Sequence, residues 1–181
     1  MYKLPLLETK NLVLSSVERE DIPRIVDLMR EKSISDNTAH IPYPYSEHDA
    51  EFWIGLIKEG LEKENAYSFA IRNKNKEFLG AIGLHDRGEK TAEIGYWLGK
   101  PHWNKGYASE AALEILHFGF ENIGFEKIIG IIFPFNPASG KVLEKIGMQQ
   151  EKHLKNYIEK CGEKLDAIQY SISKEFFNAS L

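Results

Sequence analysis

The stretch from Ala92 to Ala111 places a β-strand, a glycine-containing loop and an alanine-rich helix in direct succession. The first amides of a helix have no partners within it, and they point outward with the positive end of the helix dipole. Such a terminus binds phosphate readily. Gly106 lets the backbone approach an anion closely, Ala108 keeps the helix wall low, and Lys105 adds a positive charge. The pattern fits an anion site and, equally, an ordinary strand-to-helix turn.

Hydrophobic patterning along the rest of the chain predicts a mixed α/β (α+β) fold of about seven strands and about four helices. Strands are predicted at residues 11–17, 67–72, 78–85, 92–98, 127–133, 149–158 and 165–173. Helices are predicted to begin near Asp21, Ser46, Tyr107 and Asn136. Since no repeat or linker divides the chain, we expect residues 1–181 to form one domain.

The same patterns predict which side chains are buried. Strand 127–133 is a near-continuous apolar run, which is typical of a strand covered on both faces. Phe118 and Phe120 fall off the apolar stripe of their helix, so they could form a homodimer interface or pack internally. In the second helix, the residues predicted to face the core are Phe52, Leu56, Ile57 and Leu61.

Composition excludes several classes of function. With 27 acidic and 23 basic residues and a net charge of −4, the chain does not suit nucleic-acid binding through bulk positive charge. The single Cys161 excludes an internal disulfide framework and favours a reducing compartment. No apolar run approaches the roughly 20 residues that a membrane span needs, and the six histidines lack a metal-ligand spacing. We therefore expect a soluble, cytoplasmic protein without a metal site.

The segment from Ala92 to Ala111 resembles the acyl-CoA-binding motif of the GNAT superfamily of N-acyltransferases. The superfamily pyrophosphate loop reads Gln/Arg-x-x-Gly-x-Gly/Ala, and here it is Trp103-Asn-Lys-Gly106-Tyr-Ala108. The last two anchors match and the first does not. Tryptophan at that first position is typical of the branch that includes the ribosomal-protein N-terminal acetyltransferases RimJ and RimL.

Other segments resemble the same branch in the same order. Residues 136–139 (Asn-Pro-Ala-Ser) followed by 144–148 resemble its second CoA-contacting region. Residues 7–14, 41–45 and 166–170 resemble its first strand, its proline-containing loop and its last strand. The resemblance implies a mostly antiparallel sheet whose two central parallel strands splay apart to admit acyl-CoA.

The resemblance also implies roles for single residues. Residues contacting the cofactor's pantetheine arm would be Asn136 and the backbone of Tyr96, Trp97 and Leu98. The pyrophosphate would be held by the backbone amides of Asn104, Lys105, Gly106, Tyr107, Ala108 and Ser109. Acetyl-CoA is then the cosubstrate, and no metal takes part.

In such a transfer a neutral amine attacks the thioester carbonyl directly and a thiolate leaves. Glu93 is the first candidate for the base because it lies on the strand leading to the thioester, although it could be a solvated carboxylate. Ser139 is the candidate proton donor to the thiolate, although it could instead satisfy amides at its helix start. Tyr107 and Tyr157 are alternative donors, and Asp166 could orient the amine or pair strands.

The resemblance leaves the amine acceptor open. Tyr43 and Tyr45 lie in the proline-containing loop and are candidates for acceptor binding, whereas Trp53 fits better as packing within its helix. The acceptor could be a protein N-terminal α-amino group or a small-molecule amine such as a polyamine, amino sugar or amino acid. The alternative function is a non-catalytic acyl-CoA-binding sensor, which the same loop would serve.

Overall fold

The computed structural model describes residues 3–179 and contains one sheet of eight strands in the order β1-β2-β3-β4-β5-β6-β8-β7. The strands are β1 (Leu7–Glu8), β2 (Leu12–Ser15), β3 (Ala66–Asn73), β4 (Phe78–Asp86), β5 (Thr91–Leu98), β6 (Lys127–Ile132), β7 (Gln149–Lys160) and β8 (Glu163–Ser173). Neighbouring strands are antiparallel except β5 and β6, which are parallel. The predicted mixed sheet with one central parallel pair is confirmed.

Six α-helices within the described residues flank the sheet. They are α1 (Ile22–Leu28), α2 (Lys32–Asp36), α3 (Glu47–Glu62), α4 (Tyr107–His117), α5 (Pro137–Lys145) and α6 (Lys174–Ala179). A π-helical segment, Phe118–Ile123, continues α4. The prediction of about four helices missed α2 and α6, because one or two turns carry too few residues to show a helical period.

The helices form two layers, one on each face of the sheet. One hydrophobic cluster joins the sheet to α4 and α5 and includes Phe69, Ile94 and Ile115. A second cluster on the opposite face joins it to α1 and α3 and includes Ile25 and Ile54. Side chains of β5 therefore alternate between an α4–α5 face and an α1–α3 face.

Two expectations about the core are wrong. Phe52 and Leu56 are 64% and 48% exposed, because α3 turns a different stripe, including Ala50 and Ile54, toward the sheet. Strand β6 is not equally covered on both faces, since buried and half-buried residues alternate along it. A run of isoleucines hides this alternation, because both faces carry the same residue type.

Phe118 and Phe120 are 1% and 0% exposed, so internal packing accounts for them and they cannot form a dimer interface. The Phe118 ring packs edge-to-face on Phe69 with centroids 5.1 Å apart, and Phe120 packs on Phe177 at 5.2 Å. Both lie in the π-helical segment, where the helical period changes and a stripe drawn at 3.6 residues per turn no longer applies.

The parallel strands β5 and β6 pair only over part of their length. Residues 91–94 lie opposite 127–130, and beyond this point the two strands have different partners. Strand β5 continues along β4 as far as Leu98, while β6 continues along β8 as far as Ile132. The divergence leaves a slot between the second halves of β5 and β6, as the sequence resemblance implied.

Candidate active site

The loop before α4 presents an open helix N-terminus. Gly106 is the N-cap residue, with a φ of +80° that L side chains rarely adopt, and no side chain caps the helix. A Cβ atom at Gly106 would meet no atom within 4 Å. Trp103, Asn104, Lys105 and Gly106 are all exposed, so the free amides of the first turn face solvent. The arrangement suits a phosphate group at this end of α4.

Trp103 fixes this loop to the end of β5. Its indole Nε1 donates a hydrogen bond to the Leu98 carbonyl oxygen at 2.7 Å. This bond gives a physical reason for tryptophan at the first motif position.

A second attachment of α4 was missed by the sequence analysis. The Glu110 carboxylate accepts hydrogen bonds from Thr9 Oγ1 at 2.6 Å and from the Asn11 backbone amide at 2.7 Å. Burial works to raise the pKa of Glu110, but hydrogen bonds from Asn11 and Thr9 outweigh it, so the net pKa is lowered. The contact joins residues about a hundred positions apart, and no local pattern signals it.

Across the slot, Tyr96 of β5 reaches α5. Its hydroxyl lies 2.7 Å from Ser139 Oγ and 3.2 Å from the Ser139 carbonyl oxygen. Burial raises the pKa of the Tyr96 phenol to about 12, against a smaller lowering by the Ser139 hydrogen bond. Tyr96 therefore stays protonated at neutral pH and can donate to Ser139. The Trp97 side chain points to the α1–α3 face, where its ring packs on that of Trp53 with the centroids 6.3 Å apart.

Asn136, not Ser139, caps the start of α5. The Asn136 Oδ1 accepts from the Ser139 backbone amide at 3.3 Å, and its Nδ2 donates to the Asn37 carbonyl at 3.4 Å. The Ser139 hydroxyl is thus released from capping, and its partner is Tyr96. Sequence reasoning chose Ser139 but gave no role to the Tyr96 side chain, because the two residues are 43 positions apart.

Glu93 lies on β5 at the start of the slot, on the α1–α3 face. Arg87 holds it through two bonds to the same oxygen: Nη2 and Nε donate to Oε2 at 2.6 and 2.9 Å. The Glu93 side chain is 21% exposed. It is an ion-paired carboxylate rather than a freely solvated one.

The two candidate acceptor-binding tyrosines differ in environment. Tyr43 is 49% exposed, with the Lys32 ammonium 5.9 Å from its ring centroid. Tyr45 packs against the α1–α3 cluster, where burial, with a smaller effect of Asp49, raises its pKa to about 12. Tyr43 is the more accessible of the two.

The β7–β8 hairpin is attached to α2 by Lys160. Its ammonium donates to three backbone carbonyl oxygens, those of Ser35 at 2.5 Å, Asp36 at 3.0 Å and Thr38 at 2.7 Å. Burial lowers the pKa of Lys160. Because α2 leads into the loop with Tyr43 and Tyr45, this contact fixes the outer border of the candidate acceptor side.

Tyr157 and Asp166 lie at an irregularity in the same hairpin. The register shifts between Leu154 and Ile158, and the Asp166 carboxylate accepts from the Asn156 backbone amide at 2.9 Å. Asp166 therefore has a strand-pairing contact, while Tyr157 is 55% exposed. Tyr107 is half-buried against the α4–α5 cluster.

A cavity of about 350 Å³ lies away from the slot, between α1 and residues 100–101. Its charged side chains pair with one another, as in Arg24–Asp27 and Lys100–Glu31. Within residues 3–179, no cluster of three or more acidic, histidine or cysteine side chains is placed to hold a metal ion. No helix in this range is long and apolar enough to cross a membrane.

Comparison with known proteins agrees with this geometry. Residues 11–149 match the acetyltransferase (GNAT) domain, a span that contains the open α4 terminus, the slot and Ser139. The chain belongs to the GNAT acetyltransferase family. It is an N-acetyltransferase whose acetyl donor is acetyl-CoA. The uncharacterized N-acetyltransferase YnaD of Bacillus subtilis is 32% identical over 175 residues, which cover 95% of this chain and 99% of YnaD.

Solved GNAT structures share the fold at lower identity. RimL, a ribosomal L7/L12 α-N-protein acetyltransferase in complex with coenzyme A, has a TM-score of 0.85 at 17% identity, covering 93% of this chain and 98% of RimL. Spermidine N-acetyltransferase from Vibrio cholerae, in complex with CoA and spermine, has a TM-score of 0.79 at 21% identity, covering 94% and 99%. The two neighbours act on different kinds of acceptor in the same fold.

Proposed function

We propose that this GNAT enzyme transfers the acetyl group of acetyl-CoA to a primary amine by direct attack, with the slot between β5 and β6 as the cofactor site. The observation that carries the proposal is the placement of two features along one path. The open N-terminus of α4 lies at one end, and the Tyr96–Ser139 hydroxyl pair lies across the slot. The helix N-terminus is suited to bind a diphosphate. The hydroxyl pair is suited to donate a hydrogen bond to a leaving sulfur.

In this proposal the backbone amides of residues 104–109 hold the pyrophosphate, and the part of β5 that has left β6 pairs with the pantetheine arm. Asn136, at the start of α5, contacts the same arm. A backbone amide of residues 96–98 polarises the thioester carbonyl. Most of the acceleration then comes from holding the two reactants together in the right orientation.

The bond changes follow from these positions. The lone pair of the neutral amine attacks the thioester carbon, the carbon–sulfur bond breaks, and its electron pair stays on sulfur. The Ser139 hydroxyl donates a hydrogen bond to that sulfur while Tyr96 donates to Ser139. An α-amino group, with a pKa of about 8, needs less help to lose its proton than a lysine amine near 10.4.

The proposed acceptor is a primary aliphatic amine, either a protein N-terminal α-amino group or a small molecule. The name of RimL supports the first and that of the spermidine enzyme supports the second. Tyr43, exposed in the loop after α2, and Tyr45 beside it are the proposed acceptor contacts.

The deciding experiment measures thiol release from acetyl-CoA with N-terminal peptides of ribosomal proteins, spermidine, amino sugars and free amino acids. Each reaction has a control without acceptor. Release with one class identifies both the activity and the acceptor. Tight acetyl-CoA binding with no release from any amine would favour the non-catalytic sensor.

Removing either hydroxyl of the Tyr96–Ser139 pair should lower turnover. We expect Ser139→Ala and Tyr96→Phe each to reduce kcat about tenfold, because a hydrogen bond to a charged group contributes about 1.5–3 kcal/mol. The acetyl-CoA affinity measured by calorimetry should change less than about twofold. Combining both substitutions should add little, since they remove one chain of hydrogen bonds.

Tyr67→Phe is the matched control, because its buried hydroxyl donates to the Glu64 carbonyl at 2.8 Å, outside the slot. It should leave kcat unchanged. Equal turnover of Ser139→Ala and the wild type would remove this serine from the mechanism.

A further inference from the structure

The α1–α3 face of the sheet has a gap in its side chains beside the slot. In the β4–β5 register, Gly83 lies opposite Gly95, and His85 lies opposite Glu93. Directly opposed residues of an antiparallel pair point to the same face. The two glycines therefore leave a strip without side chains. It is buried at Gly83, where a Cβ atom would lie 2.7 Å from the Tyr67 carbonyl oxygen, and exposed at Gly95. Trp97 borders the strip on one side and the His85–Glu93 pair on the other.

This strip opens into the slot. Pairing of β5 with β6 ends at Ile94 and Gly130, so Gly95 is the first residue of β5 that has left its parallel neighbour. A Cβ atom at Gly95 would meet no atom within 4 Å, and Gly95 is exposed. An amine lying over Gly95 of β5 would have the slot on one side and His85 of β4 on the other.

Of the two titratable groups at the border of the strip, Glu93 is already engaged. The Arg87 guanidinium donates twice to its Oε2. By contrast, no hydrogen bond engages the His85 ring within residues 3–179, and His85 keeps access to solvent. An unengaged imidazole is the better proton acceptor of the pair.

Three charged or titratable groups face His85. Glu93 lies on β5 and Arg87 on the β4–β5 turn, and His40 lies in the loop after α2, while the residue opposite His85 on β3 is the uncharged Ala66. Although His85 is exposed, the protein around its ring removes part of the hydration, and this desolvation lowers the pKa of His85 below its usual 6.5. Glu93 raises the pKa, and Arg87 and His40 lower it. The imidazole is therefore neutral at pH 7 and ready to accept a proton.

We propose that His85 is the catalytic base that removes the proton from the acceptor's ammonium group over Gly95, with Glu93 as the carboxylate that stabilises the resulting imidazolium. This inference rests on the proposed function. One N–H bond of the ammonium breaks and its proton moves to a ring nitrogen of His85. The freed lone pair attacks the thioester carbon, and the electron pair of the carbon–sulfur bond leaves with sulfur.

The first test is His85→Gln, which keeps a polar side chain but cannot act as a base. We expect kcat/KM at pH 7 to fall about a hundredfold, within the range for general bases, with acetyl-CoA affinity unchanged. The wild-type kcat/KM should level off above the pKa of His85. In the variant it should keep rising about tenfold per pH unit up to the pKa of the amine, because only free amine then reacts.

The matched control is His153→Gln on β7. That ring is exposed and contacts Gln150 at 2.8 Å, on an edge strand remote from the strip in sheet order. It should show wild-type rates and the wild-type pH profile. Parallel profiles for His85→Gln and the wild type would mean a structural role and would overturn the proposal.

A second readout varies the acceptor. An amine of low pKa is already neutral at pH 7 and has no proton to lose, so the loss caused by His85→Gln should disappear with such amines. With strongly basic amines the loss should be largest. A loss independent of amine pKa would contradict a role in proton removal.

Two neighbouring substitutions distinguish His85 from Glu93. Because Glu93 raises the pKa of His85, Glu93→Gln should move the acid limb of the kcat/KM profile, its rise with pH at low pH, to lower pH. The limb itself should still be present. Because Arg87 lowers that pKa, Arg87→Gln should move the limb to higher pH. Loss of the limb in Glu93→Gln would assign the base to Glu93. Absence of transfer to every amine by the wild type would count against the proposed function itself, whereas a normal His85→Gln enzyme counts only against this inference.

Discussion

Replacing Gly106 by glutamate is expected to weaken acetyl-CoA binding by about a hundredfold or more. The new carboxylate would stand at the N-terminus of α4, where the proposed site holds the negatively charged pyrophosphate. A φ of +80° adds strain for any residue with a Cβ. A hundredfold loss corresponds to about 2.7 kcal/mol, which calorimetric titration with acetyl-CoA resolves easily.

Gly124→Glu is the control for this substitution. Gly124 is exposed and has a φ of +87°, and a Cβ atom there would meet no atom within 4 Å. Gly124→Glu therefore introduces the same backbone strain and the same added charge as Gly106→Glu. Gly124 follows the π-helical segment, at the opposite end of that helix from Gly106. We expect wild-type affinity there. Unchanged affinity in Gly106→Glu would show that this loop does not hold the pyrophosphate.

The second large effect concerns the attachment of the α1–α3 layer to the sheet. Arg72 of β3 donates to Asp21 Oδ1 at 2.8 Å and Oδ2 at 2.7 Å, and the two side chains are only 14% and 9% exposed. Asp21→Ala would leave the guanidinium buried and unpaired. We expect the free energy of unfolding to fall by about 3–5 kcal/mol, measured by denaturant titration.

Two further variants test the cause of that loss. Asp27→Ala removes a carboxylate from the exposed Arg24–Asp27 pair, where the change should stay within about 1 kcal/mol. Asp21→Ala combined with Arg72→Met should be more stable than Asp21→Ala alone, since no unpaired charge remains. If the double variant were the less stable one, the orphaned charge would not explain the loss.

Much of the fold follows from local sequence patterns. The seven predicted strands correspond to β2–β8 within a few residues, and Ser46 begins α3 through its bond with Asp49. Core assignments were less reliable where apolar residues occur on every side of an element. Phe52 and Leu56 of α3 are examples, since both are exposed. The apolar band of α3 is wide, and its sequence does not determine which part of the band contacts the sheet.

The sequence by itself determined the order along the chain of β2–β8 and of α1, α3, α4 and α5, and the glycine at the start of α4. Both depend on neighbouring residues, through turn chemistry, periodicity and the backbone freedom of Gly106. Only the tertiary structure decided which side chains meet across the slot. The pairs Tyr96–Ser139 and Glu110–Thr9 join residues 43 and 101 positions apart. The assignment of His85 to the face of Glu93 likewise depends on strand register, which is fixed when whole strands pack together.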